Sequence, residues 1–210
     1  MDLQKRFDNG EKIEFEVLTI VLASGSPRRS AILDEAGIPF VKIVGGFDES
    51  ELEAAYDHNN VSLKQAKKYA KVVAAAKLIP FQQRIKNGAV ITCDTTVWCD
   101  GKIIEKPITK ERCEEQHRFL MGKNNYAITG YAVYYKGLVI VDVMCSTVKI
   151  VNMSDGVIEA ICSEEETLDS SGYRNEGAIE PYLFVSDKER ANMMGICPAM
   201  VKKLLKKIKF

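Results

Sequence analysis

The chain has 210 residues, enough for one large domain or one domain with two lobes. Lysine plus arginine and aspartate plus glutamate number 29 each, so the zero net charge offers no electrostatic case for nucleic acid or a membrane. Six cysteines without a C-x-x-C pair, accompanied by only two histidines, argue against a zinc centre. The opening residues MDLQKRFDNGEKIEFE lack the apolar segment of a signal peptide, and no run is apolar enough to span a bilayer. The cysteines are then expected as reduced thiols in a cytoplasmic protein.

In chain order, residues 1–16 are polar and read as a peripheral N-terminal extension. Val17 to Ala23 is an apolar, β-rich run that reads as a buried strand. Ser24-Gly25-Ser26 follows as a tight turn, with Ser26 suited to cap a helix and Pro27 to its first position. Arg28 and Arg29 then fall in the first helical turn, where cations oppose the helix dipole. Two readings stand side by side: the arginines serve an anion bound at this terminus, or they point to solvent or pair with nearby acids.

The helix is expected to end near Gly37, with a second strand over Phe40–Val44 and a loop at Gly45-Gly46-Phe47-Asp48-Glu49 carrying two carboxylates. Residues 50–60 are polar and Asn-rich, and Ser62 to Ile79 reads as a strong helix rich in alanine and lysine. Lys77 comes eight residues after Tyr69, roughly on the same side, although by itself it reads as an ordinary surface lysine. Gly88–Cys99 contains the apolar Ala89-Val90-Ile91 and then Asp94, Thr95 and Thr96. An aspartate just past a buried strand suits ligand binding in an open α/β sheet, or it caps a turn with the threonines.

Asp100-Gly101 signals a hairpin, and Lys106-Pro107 an extended segment. A helix over Thr109–Met121 precedes two long strands, Tyr126–Tyr135 and Leu138–Val151, joined at Lys136-Gly137. Ser154–Glu165 reads as a helix, Ser170–Gly177 as a polar loop, Ala178–Val185 as an interrupted strand, and Pro198–Ile208 as an amphipathic helix. Its Val201, Leu204, Leu205 and Ile208 form a stripe that faces a core better than a membrane. Helices alternate with strands first and long antiparallel strands follow, so the fold class is α/β with α+β character: a mixed, curved sheet flanked by helices, with a cleft between two lobes.

Taken in order, these motifs resemble the Maf-like nucleotide pyrophosphatases, also called septum-formation proteins. Leu22–Arg29 (LASGSPRR) is similar to that family's first signature. Phe47-Asp48-Glu49, the Tyr69 and Lys77 spacing, Asp94-Thr95 with Lys106-Pro107, and Gly172-Tyr173-Arg174-Asn175-Glu176-Gly177 are similar to its later blocks. Asn192-Met193-Met194-Gly195 is similar to its terminal block, and the resemblance as a whole spans about residues 17–206 of a single domain over 17–210.

The resemblance implies hydrolysis of a nucleoside triphosphate to monophosphate and pyrophosphate, with a role in removing non-standard nucleotides. It implies phosphate binding by Ser24, Arg28, Arg29, Lys77 and Lys106. It implies Asp94 as general base and, with Glu49, as ligand to a divalent cation, Mg²⁺ or Mn²⁺. It implies a homodimer, with no nucleic-acid or membrane partner. The base-reading positions are mixed: Arg28 and Thr95 resemble the branch acting on UTP and dTTP, whereas Glu176 resembles the branch acting on 7-methyl-GTP. UTP and dTTP are expected. The alternatives are 7-methyl-GTP or a catalytically weak nucleotide-binding regulator.

Overall fold

The computed structural model describes residues 2–168, 170–174 and 176–209. Asn175 of the late loop motif lies outside the described residues. Seven strands form one mixed sheet in the order β2-β1-β3-β5-β6-β7, with β4 paired to β3 off this path. The strands are β1 (Ile13–Leu22), β2 (Val41–Lys42), β3 (Ile85–Cys99), β4 (Lys102–Ile104), β5 (Asn124–Tyr135), β6 (Leu138–Ile150) and β7 (Leu183–Phe184). β1 runs parallel to β2 and β3, and every other pairing is antiparallel.

Strand β3 is the axis of the sheet. Its first half pairs with β1, as in Ile20 with Ala89 and Leu22 with Ile91. Its last residues pair with β4, starting at Val97 with Ile104. Between Ile91 and Val97 that edge of β3 meets neither strand, because β1 has ended and β4 has not begun. The opposite edge stays paired with β5 throughout, including Asp94 with Gly130 and Thr95 with Thr129. Asp94 therefore lies within a 15-residue strand rather than past its end, which corrects the sequence expectation.

Side-chain alternation along β3 divides the core. On one face Ala89, Ile91 and Cys93 join Tyr131, Val133 and residues of α2 (Pro27–Glu35) and α9 (Pro198–Lys207). On the other, Val90 and Ala132 join Ala74 of α4 (Leu63–Ala76), and Ile128 packs on Ala66, Ala70 and Val73 of the same helix. Helix α4 starts where Ser62 forms a capping box with Gln65. Beyond β4, Val97, Cys99 and Val148 pack with Cys113 and Leu120 of α5 (Lys110–Leu120) and with Ile158 of α6 (Asp155–Cys162).

Several expectations are corrected. The segment read as a peripheral extension forms helix α1 (Leu3–Asp8) and places Phe7 and Ile13 in the core beside Phe81. β1 starts at Ile13 rather than Val17. Val17 and Leu18 are exposed where the register with β3 shifts, and burial, interrupted after Ile13, resumes at Ile20. The second strand shrinks to two residues. The polar 50–60 stretch contains a short helix, α3 (Ser50–Ala54). Short helices α7 (Glu165–Leu168) and α8 (Asp187–Met193) also form, and the strand expected over Ala178–Val185 is mostly a 3₁₀ turn, Gly177–Tyr182, ahead of β7.

Cys113 and Cys162 are joined in a disulfide that ties α5 to α6, so the expectation of six reduced thiols is corrected for this pair. Both are buried, their Cα atoms are 5.7 Å apart, and His117 sits beside both sulfurs. A separation of 49 residues leaves no local trace of such a pairing in the sequence. Among the described residues, no helix is long and apolar enough to cross a membrane.

Gly130 lies where helix α4 comes closest to a glycine of the sheet. A Cβ there would come within 2.0 Å of the Ala70 carbonyl oxygen, which belongs to the α4 backbone and has no rotamer to yield. Gly130→Ala is therefore expected to destabilise the protein by about 3 kcal/mol or more in urea unfolding, near the upper end for overpacking. A loss below about 1 kcal/mol would show that α4 is free to move off the sheet.

Candidate active site

The cleft opens over the unpaired edge of β3. It consists of two pockets of about 280 and 610 Å³ that share Thr95, Lys106 and Ser171. Alternation along the strand explains why there are two. Thr95 points to the face of α2, and Asp94 to the face of α4.

On the α2 side, β1 ends at Leu22 and the chain turns through Ser24 and Gly25 into the helix. The Ser26 hydroxyl accepts from the Arg29 backbone N–H at 3.4 Å, and Pro27 opens α2, as expected. Arg28 and Arg29 both line the smaller pocket, but they are held differently. Arg29 donates from Nε to the Gly195 carbonyl at 3.0 Å, from Nη1 to Ser24 Oγ at 3.2 Å and from Nη2 to Thr95 Oγ1 at 3.4 Å. Arg28 makes no hydrogen bond or ion pair among the described residues and is half-buried at the pocket wall. Gly195 has φ +106°, and a Cβ on it would come within 2.9 Å of Arg29 Nε, so the residue at the end of the terminal block is a glycine for two reasons.

Thr95 belongs to a directed chain of hydroxyls. Thr129 donates to the Asn192 carbonyl at 2.9 Å, so the Thr129 oxygen accepts from Thr95, 3.0 Å away. The Thr95 proton is thereby committed, and its oxygen is left as an acceptor. Asn192 is fully buried and satisfied: its Oδ1 accepts from Tyr131 at 2.8 Å, and its Nδ2 donates to Ser146 at 2.9 Å. Buried polar groups of this kind rigidify a site when every member is paired.

On the α4 side, Lys77 stands at the C-cap of the helix and reaches over the β3 edge. Its Nζ donates to Asp94 Oδ1 at 2.7 Å and lies 3.0 Å from Glu49 Oε1. Burial alone lowers the affinity of Lys77 for its proton, but Asp94 and then Glu49 more than offset this, and the net shift is upward. Asp48 instead accepts from the Ser50 backbone N–H at 2.9 Å, which leaves Glu49 as the member of the acidic loop that faces Lys77. Tyr69 lines the same pocket, and burial together with the charge of Asp94 holds its hydroxyl protonated, well above the usual tyrosine range.

The structure therefore gathers Arg28, Arg29, Thr95 and Lys106 around one pocket and Glu49, Lys77, Asp94 and Lys106 around the other. Ser24 sits behind the wall, bonded to Arg29 and the Ser26 N–H. Glu176 is not brought to the wall: it is exposed, and its carboxylate turns to Arg174, 3.3 Å away. Three pocket residues carried no signal of their own in the sequence. His58 lies 2.5 Å from Glu105, with both on the larger pocket, and Arg174 lines the smaller one. His58 falls in a polar stretch, Glu105 stands just before the Lys106-Pro107 pair, and Arg174 occupies an unspecified position inside the Gly172–Gly177 block.

Because the folded protein raises the Lys77 proton affinity, the stability of its ion pairs is fully present below the unfolded lysine value. It is lost only as pH rises through the folded one. The stability difference between wild type and Lys77→Met, measured by urea unfolding, is expected to be flat from about pH 7 to 9 and to shrink above about 10.4. A difference that falls away near neutral pH would contradict the paired ammonium.

The sequence profile described as "Maf-like protein" matches residues 19–208. The chain is 28% identical over 188 residues to a dTTP/UTP pyrophosphatase of Pyrococcus abyssi, covering 89% of this chain and 95% of that protein. It is 30% identical over 189 residues to a nucleoside triphosphate pyrophosphatase of Streptomyces avermitilis, covering 89% and 88%. It is 29% identical over 153 residues to a dTTP/UTP pyrophosphatase of Bacillus anthracis, covering 73% and 75%. A profile match across nearly the whole chain, over a mixed sheet with this cleft, makes the protein a member of the Maf-like family.

Proposed function

We propose that this protein hydrolyses the α–β phosphoanhydride of a nucleoside triphosphate, releasing the monophosphate and pyrophosphate, and that UTP and dTTP are its preferred substrates. One observation carries the reading. Asp94, paired with Lys77 and facing Glu49, is the immediate neighbour of Thr95, which is tied to the arginine pocket, so acid–base and anion-binding groups meet at one edge. The names of the relatives support the same chemistry.

Glu49 and Asp94 suit a hard divalent cation. Both turn an oxygen toward one positive centre, the Lys77 ammonium, and a pair of carboxylates with waters is the donor set that Mg²⁺ favours. A divalent cation held there supplies neutralisation of the charge that builds on the phosphates as the anhydride breaks. Asp94 accepts the proton of the attacking water. Arg28, uncommitted in the described structure, supplies its guanidinium to phosphate oxygens, while Arg29 holds the turn that presents the α2 N-terminus. Lys77 and Lys106 complete the cationic lining, Lys77 by exchanging a carboxylate partner for a phosphate oxygen. The reading extends to a homodimer and to no nucleic-acid or membrane partner.

A pyrophosphate-release assay across the common nucleoside triphosphates and 7-methyl-GTP tests the activity. Asp94→Asn is expected to lower kcat by about a thousandfold while the fold is kept, since an amide cannot take the proton. Glu49→Gln is expected to lose about tenfold or more, partly regained as the divalent cation is raised. Wild-type turnover by Asp94→Asn, or release of orthophosphate in place of pyrophosphate, would overturn the assignment.

A further inference from the structure

The late loop holds a group that the motif reading passes over. Gly172 has φ +76° and packs on Val97: a Cβ there would come within 3.0 Å of the valine side chain. Val97 is two residues beyond Thr95 on β3 and shares its face, so the loop sits directly over the smaller pocket. At the other end of the loop, Glu164 accepts from the Ala178 backbone N–H at 2.9 Å and so ties the loop to the end of α6. Arg174 stands between these two anchors and lines the pocket.

Its side chain is only 16% exposed, and its charge is met by carboxylates. Nη1 is 3.0 Å from Glu166 and 3.7 Å from Glu164, and Nη2 is 3.3 Å from Glu176. A guanidinium carries five N–H donors, so these contacts leave donors for a ligand. They also decide what Glu176 does: its carboxylate is paired with Arg174 and is not on the pocket wall.

We infer that Arg174 is a specificity-determining residue, a guanidinium that replaces the Glu176 carboxylate as the group meeting the base and selects an uncharged base edge rich in carbonyl oxygens. This rests on the proposed hydrolase reading and refines its substrate class. Uracil and thymine present an N–H between two carbonyls. Arg174 supplies donors to a carbonyl, and the Thr95 oxygen, whose proton is committed to Thr129, accepts from the N–H. A base that carries positive charge, such as 7-methylguanine, meets Arg174 and Arg28 as like charges. The mixed set of base-reading positions is thereby reconciled: an acidic residue at 176 is compatible with a pyrimidine once Arg174 holds it.

The test is kcat and KM for UTP, dTTP, CTP and 7-methyl-GTP, measured side by side on wild type, Arg174→Gln, Arg174→Lys and Glu176→Gln, with the melting temperature of each variant recorded. Arg174→Gln is expected to lower kcat/KM for UTP and dTTP about tenfold, carried by KM, because donors to the base are lost while the phosphate end is untouched. The ratio of 7-methyl-GTP to UTP should rise in the same variant. Arg174→Lys keeps the charge but not the fork and is expected to fall between. Glu176→Gln is expected to change each constant less than about threefold, within ordinary surface effects. The inference is overturned if Arg174→Gln and Arg174→Lys keep the wild-type profile, or if Glu176→Gln alone shifts preference toward pyrimidines. A folded wild type that releases pyrophosphate from none of the four nucleotides overturns the hydrolase reading itself, and is seen before any variant is compared.

Discussion

The cleft depends on one geometric constraint: adjacent residues of a strand face opposite ways. Asp94 and Thr95 are neighbours in sequence, yet the pleat sends one toward α4 and the other toward α2. Each helix then delivers one long cation to the strand edge, Lys77 from the end of α4 and Arg29 from the start of α2. A shift of one residue in the pairing of β3 with β5 would exchange these partners and dismantle both pockets at once. The register is secured on the α4 face by Gly130, opposite Asp94, because only a residue without a side chain lets the helix backbone come so close. On the other face it is secured by the Thr95–Thr129 hydroxyl pair and by the buried Asn192 beneath it.

This explains which parts of the site were legible in the sequence. The cap and turn at Ser26-Pro27 are local signals, and the structure shows them in place. So is the Asp100-Gly101 hairpin, where both residues have positive φ. Lys77 read as a surface lysine because nothing local says that a strand edge with an aspartate lies under the end of its helix. The partnership of Cys113 with Cys162 and of His58 with Glu105 likewise comes from packing between distant elements. Val17 and Leu18 misled in the opposite direction: apolar residues in a strand-like run read as buried, whereas here the register shift leaves them on the surface. Asp94 read as lying past a strand because the apolar run stops at Ile91. The strand continues because β5 supplies its hydrogen bonds and the lining of a cleft need not be apolar.

The adjacent arginines show how one motif serves two ends. Sequence alone sets an anion site against arginines engaged elsewhere, and the structure divides the readings between the two residues. Arg29 spends its fork on Gly195, Ser24 and Thr95, and so connects the turn after β1, the centre of β3 and the segment before α9. A guanidinium is suited to this because its planar donors reach several acceptors without rotamer change, which an ammonium cannot reproduce. Arg28 is left beside it without a partner in the described structure.

Charge is unevenly distributed along the cleft, and on the proposed reading this orients a triphosphate. The α2 pocket has Arg28, Arg29 and Arg174 on its wall, and the α4 pocket has Glu49 and Asp94 around the half-buried Lys77, with Glu105 on the same wall. An anion alone favours the first, and an anion accompanied by a divalent cation is also accepted by the second. On the proposed hydrolase reading the bond to be broken lies near Thr95 and Lys106, which line both pockets, with Asp94 one residue away on the acidic side. In that arrangement Lys77 is more than a counter-ion. By holding Asp94 and Glu49 together in the folded protein it offsets the repulsion between two carboxylates aimed at one point, and it keeps them oriented toward the same place.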